Sequence, residues 1–152
     1  MRPVLAFAAM ALIAAACRPA TPAAPAPASS AGDAAGGGDA LVTTLQTDAG
    51  ADSVRFTLQV TNGSQAPVTL RFGSGQSYDF VVTDGTARVW HWGNDRMFTQ
   101  ALRDETLAPG QTRSWSETWR PAAALRGHTL TATARLTSTS HPVERTQTFR
   151  LP

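Results

Sequence analysis

One stretch of the chain alternates apolar and polar side chains without a break, and it limits what this sequence folds into. In residues 54–61, Val54, Phe56, Leu58 and Val60 are separated by Arg, Thr and Gln. Successive side chains of a β-strand point to opposite faces, so a period of two places the four apolar residues on one face. The stretch therefore predicts a strand with one face in an apolar core and the other in water.

Shorter stretches with the same alternation follow along the chain. Further strands are predicted at residues 41–47, 68–72, 78–82, 88–92, 112–119, 128–137 and 144–151. The apolar spacing predicts no helix long enough for a crossover connection between parallel strands. We therefore predict an all-β fold, an immunoglobulin-like antiparallel β-sandwich of seven to eight strands.

Turn residues set the expected connections between these strands. Asn62-Gly63-Ser64 predicts a hairpin that joins the strand at 54–61 to the next one, and Asp84-Gly85 predicts a second hairpin. Between residues 93 and 107 the alternation stops. Apolar residues there have the i, i+1, i+4 spacing of a short helical turn, which we expect near residues 97–102.

The first 40 residues differ in composition from the rest and predict a leader and a linker. Arg2 and an apolar run at residues 4–16 precede Cys17, the chain's one cysteine. This arrangement resembles the lipobox of bacterial lipoproteins, and the resemblance implies that Cys17 becomes the lipidated first residue of the mature protein. The alternative is an ordinary secretory signal cleaved nearby, with Cys17 as an unmodified thiol.

The predicted organisation has three parts: a lipoprotein signal peptide at residues 1–16, a tether at 17–40 and a β-sandwich domain at 41–152. The tether is rich in Pro, Ala and Gly, so it has little apolar surface to bury and is expected to be disordered. Arg18 stands where an aspartate signals inner-membrane retention in many Gram-negative bacteria. The expected location is therefore the cell envelope, with the protein lipid-anchored at the outer membrane and facing the periplasm.

Charge and titratable residues argue against several functions. The formal net charge of +2 comes with scattered arginines that form no basic run, so no nucleic-acid partner is expected. His91, His128 and His141 each stand alone, without a second ligand at metal-site spacing, so no metal and no other cofactor is predicted. Gly73-Ser74-Gly75 lacks the spacing of a nucleophile elbow. The sequence predicts a protein that is not an enzyme and has no catalytic residue.

Polar and aromatic residues at the ends of the apolar runs are the candidates for contact with a partner. Gln76 and Asp79 lie at a strand entry, where side chains either hold the turn or meet a partner, and the turn-holding role has more weight. The four tryptophans exceed what so small a core buries, so one or two are expected at the surface, with Trp119 inside. The partner-binding candidates are Ser74, Gln76, Asp79, Trp90, Trp92, Phe98 and Gln100. The turn at 73–77 and the loop at 93–99 are the expected contact surfaces.

The element Ser-Gly-Gln-Ser-Tyr-Asp-Phe at residues 74–80 belongs to a longer pattern that covers most of the predicted domain. The pattern continues through Val89-Trp90-His91-Trp92, residues 98–102 and the Leu-Ala-Pro-Gly turn at 107–110. It resembles the BsuPI family. The resemblance implies an immunoglobulin-like sandwich with protein-binding activity, which in the founding case inhibits a subtilisin-type serine protease.

The predicted function combines these observations. We expect a monomeric, lipid-anchored, extracytoplasmic module that binds a protein, with proteinase inhibition as its activity and a subtilisin-type serine protease as the partner that the resemblance implies. The alternative is a structural or envelope-assembly accessory module that binds its partner through a sheet edge.

Overall fold

Alternating side chains produce strands throughout the described part of the chain, which comprises residues 40–94 and 96–152 of a computed structural model. The strands are β1 (Leu41–Ala49), β2 (Val54–Asn62), β3 (Val68–Phe72), β4 (Tyr78–Asp84), β5 (Ala87–His91), β6 (Arg103–Leu107), β7 (Thr112–Trp119), β8 (Thr129–Leu136) and β9 (Val143–Arg150). A single 3-10 turn, Ala123–Leu125, is the helical structure recorded for these residues. Among the described residues, the structure contains no helix with the length and apolar character needed to cross a membrane. The predicted signal peptide and nearly all of the predicted tether lie outside the described residues.

The strands pair antiparallel and form a sandwich. One sheet has the order β1-β2-β7, a second has the order β5-β4-β8-β9, and β3 and β6 form a two-stranded sheet. A bridge between Phe72 and Ser138 links β3 to the segment that follows β8. The predicted all-β sandwich is confirmed, with nine strands in the described residues where seven to eight were expected.

The core is built by the alternation that the sequence displays. Val54, Phe56, Leu58 and Val60 of β2 are fully buried. The Phe56 ring centroid lies 6.0 Å from that of Phe80 and 5.5 Å from that of Trp90, both of the other sheet. Burial of the large apolar side chains of facing sheets is the main favourable contribution to folding here.

The predicted hairpin between β2 and β3 is wrong. β2 pairs with β1 and β7, whereas β3 pairs with β6. The residues after Asn62 carry the chain from one sheet to another instead of folding it back on its neighbour. The second predicted hairpin is confirmed, because β4 pairs with β5 and Gly85 adopts a φ of +56° between them.

The region between β5 and β7 also differs from the prediction. Residues 103–107 form β6, and residues 96–102 are neither helix nor strand, so the helical turn expected near 97–102 is wrong. β6 reads Arg-Asp-Glu-Thr-Leu and buries one side chain fully, that of Leu107, so it lacks the apolar alternation that identifies a strand.

At one lateral edge of the sandwich the strands of the two sheets contact each other, and at the opposite edge a groove lies between them. At the first edge, Thr47 Oγ1 donates to Gln147 Oε1 at 3.0 Å and Arg145 Nε donates to the Thr43 carbonyl oxygen at 3.1 Å, so β1 contacts β9. On the other side, residues of β5 and β7 and of the segment after β5 line a groove of about 500 Å³. The 96–102 segment begins at this groove, since Arg96 is one of the lining residues.

Candidate functional site

The turn at residues 73–77 and the segment at residues 96–102 lie against each other. The backbone N–H of Gly75 donates to the Thr99 carbonyl oxygen at 2.8 Å. A Cβ atom at position 75 would lie 2.7 Å from Thr99 Oγ1, so any larger residue there would displace the Thr99 side chain. We call these parts the 73–77 turn and the 96–102 loop. The structure thus brings the described parts of both expected contact surfaces together.

The Trp92 side chain packs beneath the 96–102 loop. Its side chain is only 8% exposed. The Arg96 guanidinium lies 4.4 Å from the centroid of the indole, and the Phe98 ring lies 5.7 Å from it. The Tyr78 ring stacks on the same indole at 4.4 Å. A cation over an indole and stacked aromatic rings are both attractive, so one buried side chain holds two residues of the loop.

Tyr78 is fixed in turn by a carboxylate. Its hydroxyl donates to Glu117 Oε1 of β7 at 2.6 Å, which ties the second sheet to the first. Burial is the largest cause that raises the pKa of Tyr78 above its ordinary value, and the hydrogen bond to Glu117 and the negative charge of Glu117 add to it. The phenol therefore remains a neutral donor at physiological pH, which keeps this link intact.

Asp79 holds the backbone beside the 73–77 turn. Its Oδ1 accepts from the N–H groups of Phe80, at 2.9 Å, and Gly93, at 3.1 Å. Its Oδ2 lies 2.6 Å from His91 Nε2, and both side chains are largely buried. Gln76 Nε2 donates to the Tyr78 carbonyl oxygen at 3.2 Å. Gln76 and Asp79 thus both make structural hydrogen bonds within the domain, to the backbone at residues 78, 80 and 93, and none of these bonds lies inside the 73–77 turn itself.

The 96–102 loop presents two apolar side chains to solvent. Met97 is 99% exposed and Leu102 is 85% exposed. Arg103 closes the loop, because its guanidinium lies 4.7 Å from the Phe72 ring centroid and donates to Ser77 Oγ. An apolar side chain in water gains free energy when another surface covers it.

The remaining predicted contact residues fall into different environments. Ser74 Oγ accepts from the Gln76 N–H at 3.2 Å, Phe98 is half-buried, and Gln100 is exposed. Trp90 is half-buried between Phe56 and Trp119, and Trp92 is in the core, so neither indole is a free surface anchor. Contact of any of these residues with a partner stays a prediction. Cys17 lies outside the described residues, and its lipidation and the three-part domain division also stay predictions.

Sequence reasoning named Asp79 and the loop that contains Met97, but it found neither the exposure of Met97 nor the pairing of Asp79 with His91. Met97 was assigned to a helical turn, and the pairing of Asp79 with His91 spans twelve positions without a motif. The pairing follows from the register of β4 and β5, which places Val81 opposite His91. The predicted burial of Trp119 is confirmed, since it is 6% exposed.

Comparison with known families identifies the domain. A family model described as BsuPI, intracellular proteinase inhibitor, matches residues 41–140. The chain belongs to the BsuPI family. The predicted resemblance is therefore confirmed, and the family is one of inhibitors. A search of curated proteins found no match.

Solved structures resemble the BsuPI chain only distantly. The sporulation control protein Spo0M of Bacillus subtilis is 12% identical with a TM-score of 0.41, and the match covers 73% of this chain and 47% of Spo0M. A β-glucosidase of Kluyveromyces marxianus is 8% identical with a TM-score of 0.33, and the match covers 72% of this chain and 14% of the enzyme. The chain thus spans less than half the length of either protein.

The predicted location in the cell envelope is wrong. The family that matches residues 41–140 is described as an intracellular proteinase inhibitor, which conflicts with a domain that faces the periplasm. The prediction depended on Arg2, Cys17 and Arg18, all outside the described residues, whereas the family match depends on the folded domain.

Proposed function

We propose that this BsuPI domain inhibits a subtilisin-type serine proteinase and does so through the 96–102 loop and the 73–77 turn. The observation that carries the proposal is the loop itself. It runs without helix or strand, it is fastened to the domain at several points, and it exposes Met97 almost completely.

Fastening matters because binding an extended segment to a protease orders that segment at a cost in entropy. A loop that already has a fixed conformation loses less freedom and binds more tightly. Here the Thr99 carbonyl oxygen accepts from Gly75, and the side chains of Arg96 and Phe98 lie on Trp92. The loop is fastened without an intramolecular disulfide, since the sequence contains one cysteine and such a bond needs two.

A titration of subtilisin with the purified protein tests the proposal. We expect proteolytic activity toward a small peptide substrate to fall with rising inhibitor and to reach its minimum near equimolar amounts. Binding to subtilisin with its catalytic serine replaced by alanine is measured by calorimetry in parallel. Full activity at micromolar excess, together with no heat of binding, would exclude the proposed function.

The second candidate function is that of a structural accessory module, which binds its partner through a sheet edge. It is suggested by the groove between β5 and β7. Strand edges on this side of the sandwich end at a groove of about 500 Å³, and a partner strand added there would extend a sheet. Amide hydrogen exchange of the complex with inactive subtilisin separates the two candidates. Protection of Gly75 and of the 96–102 loop supports loop binding, whereas protection confined to β5 or β7 supports strand addition.

A further inference from the structure

We propose that Met97 is the side chain that enters the primary specificity pocket of the proteinase, and that this pocket is apolar. The inference rests on the proposed function and deepens it, because it names the residue that determines which proteinase is bound. It follows from three features of the loop: the exposure of Met97, the anchoring of both of its neighbours, and the weaker anchoring around Leu102.

The exposure of Met97 contrasts with the burial of the aromatic residues beneath the loop. Its side chain is 99% exposed, although the residues beneath the loop, Trp92 and Tyr78, are buried or half-buried. An apolar side chain gains free energy when it leaves water, and a thioether chain without branches adapts to the shape of a pocket. Nothing in the fold of the domain uses this side chain, so its apolar surface is available to a partner.

The residue before Met97 is held on the buried indole. The Arg96 guanidinium stacks on Trp92 at 4.4 Å from the ring centroid, and Arg96 Nε donates to the Trp92 carbonyl oxygen at 3.0 Å. The Arg96 backbone N–H donates to the Gly93 carbonyl oxygen at 3.4 Å. Two of these contacts place Arg96 directly on Trp92, which fixes the direction in which the chain approaches Met97.

The residues after Met97 are held on the same indole and on the turn. The Phe98 ring lies 5.7 Å from the Trp92 centroid, and the Thr99 carbonyl oxygen accepts from the Gly75 N–H at 2.8 Å. Both side chains next to Met97 thus contact Trp92 while Met97 faces solvent. A substrate-like segment requires this arrangement, because the backbone on both sides of the residue in the pocket stays in place when the protease binds.

Leu102 is the competing candidate, and its anchoring is one-sided. It is 85% exposed, and Arg103 after it is fixed by the Phe72 ring and by Ser77 Oγ. Before it, the Gln100 side chain donates to the Phe98 carbonyl oxygen over a long 3.5 Å, which is a weaker restraint than the two contacts of Arg96 with Trp92. Leu102 is therefore expected to add contact area at the rim of the interface and not to occupy the pocket.

Substitutions of Met97 test the inference against subtilisin. We expect Met97→Ala to weaken inhibition by at least about 30-fold, as truncation of a dominant anchor does, and Leu102→Ala to weaken it less. Val42→Ala is the matched control, since Val42 is 60% exposed on β1 and lies outside the proposed surface. Met97→Arg should weaken inhibition of subtilisin and create inhibition of trypsin, whose pocket holds an aspartate.

The outcomes separate this inference from the function on which it rests. Thermal unfolding of each variant verifies that the fold is intact, which the exposure of Met97 makes straightforward. If the wild-type chain inhibits subtilisin but Met97→Ala does so equally well, or if Leu102→Ala has the larger effect, Met97 is not the pocket residue. If the wild-type chain neither inhibits nor binds subtilisin, the proposed function fails and the inference fails with it.

Discussion

Asn62 is the residue at which two sheets are joined. Its side chain is fully buried, and Nδ2 donates to the carbonyl oxygens of Ala66, at 2.8 Å, and Leu107, at 2.9 Å. Its Oδ1 accepts from the N–H and the hydroxyl of Ser64. Both polar atoms of this amide therefore have hydrogen-bond partners. A buried polar group whose partners are all present holds the surrounding backbone in one arrangement.

Replacement of Asn62 by alanine should lower the free energy of unfolding by about 2–4 kcal/mol, because the buried hydrogen bond to the Leu107 carbonyl oxygen and the partly buried one to Ala66 are both lost. Urea unfolding measures the change. Ser64→Ala is the matched control at the same turn, and we expect it to cost less than about 1.5 kcal/mol. Equal losses for the two variants would contradict the role assigned to Asn62.

Tyr78 makes the free energy of unfolding depend on pH in the alkaline range. Its pKa is raised in the folded protein, so the folded state keeps the phenol proton at pH values where the unfolded chain releases it. The stabilising contribution is complete below the ordinary phenol pKa of about 10 and is lost as pH rises beyond it.

We therefore expect wild-type stability to fall above about pH 10 more steeply than that of Tyr78→Phe, which has no phenol to ionise. Chemical unfolding at a series of pH values from neutral to alkaline measures both curves. Parallel curves for the two proteins would show that ionisation of Tyr78 is not linked to folding. Tyr78→Phe also removes the donor to Glu117, so its free energy of unfolding is expected to differ from that of the wild type already at neutral pH. This difference is subtracted before the slopes of the two curves are compared.

At the scale of elements, the 73–77 turn supports the 96–102 loop through one close backbone approach. Gly75 has its hypothetical Cβ 2.7 Å from Thr99 Oγ1, whereas Gly73 has no atom within 4 Å of such a position. The two glycines lie in the same turn and differ in this respect, so they form a matched pair.

Gly75→Ala should push Thr99 away and break the hydrogen bond from position 75 to the Thr99 carbonyl oxygen. We expect amide exchange at position 75 to accelerate by at least about tenfold, and Gly73→Ala to leave it nearly unchanged. Adding Thr99→Ala removes the clashing hydroxyl, so the double variant should recover part of the protection. Similar exchange in Gly75→Ala and Gly73→Ala would show that the loop does not depend on this approach.

The elements also show what sequence patterns predict and what they miss. Strand β7 has the bounds that were predicted, 112–119, because its inward and outward residues alternate. β6 was missed because one fully buried residue gives no period, and its place is decided by pairing with β3. The 73–77 turn follows β3 and the 96–102 loop precedes β6, so the contact of Gly75 with Thr99 depends on the same long-range pairing. Local composition therefore predicted each of the two segments but not the contact between them.

At the scale of the whole molecule, Phe56 contacts aromatic residues from three strands of the facing sheet. Besides Phe80 and Trp90, the Phe149 ring of β9 meets it edge-on at 5.8 Å. The side chain is fully buried at the centre of the sandwich. Its loss would affect both sheets at once.

Phe56→Ala should lower the free energy of unfolding by about 3–5 kcal/mol, the usual cost of a large cavity in a packed core. Val42→Ala, at an exposed position of β1, should change it by less than about 0.5 kcal/mol. Denaturant unfolding followed by tryptophan fluorescence measures both. A loss below about 1.5 kcal/mol for Phe56→Ala would mean that the two sheets do not share one core.

The exposure of Met97 has a chemical consequence beyond recognition. A thioether in open solvent reacts readily with peroxides, which convert it to a sulfoxide, and methionine sulfoxide reductases reverse the reaction. Because Met97 is the one methionine in the described part of the chain and is 99% exposed, mild oxidant would mark this position selectively there. The added oxygen makes the side chain polar, so the redox state of the surroundings would tune how well this protein engages an apolar pocket.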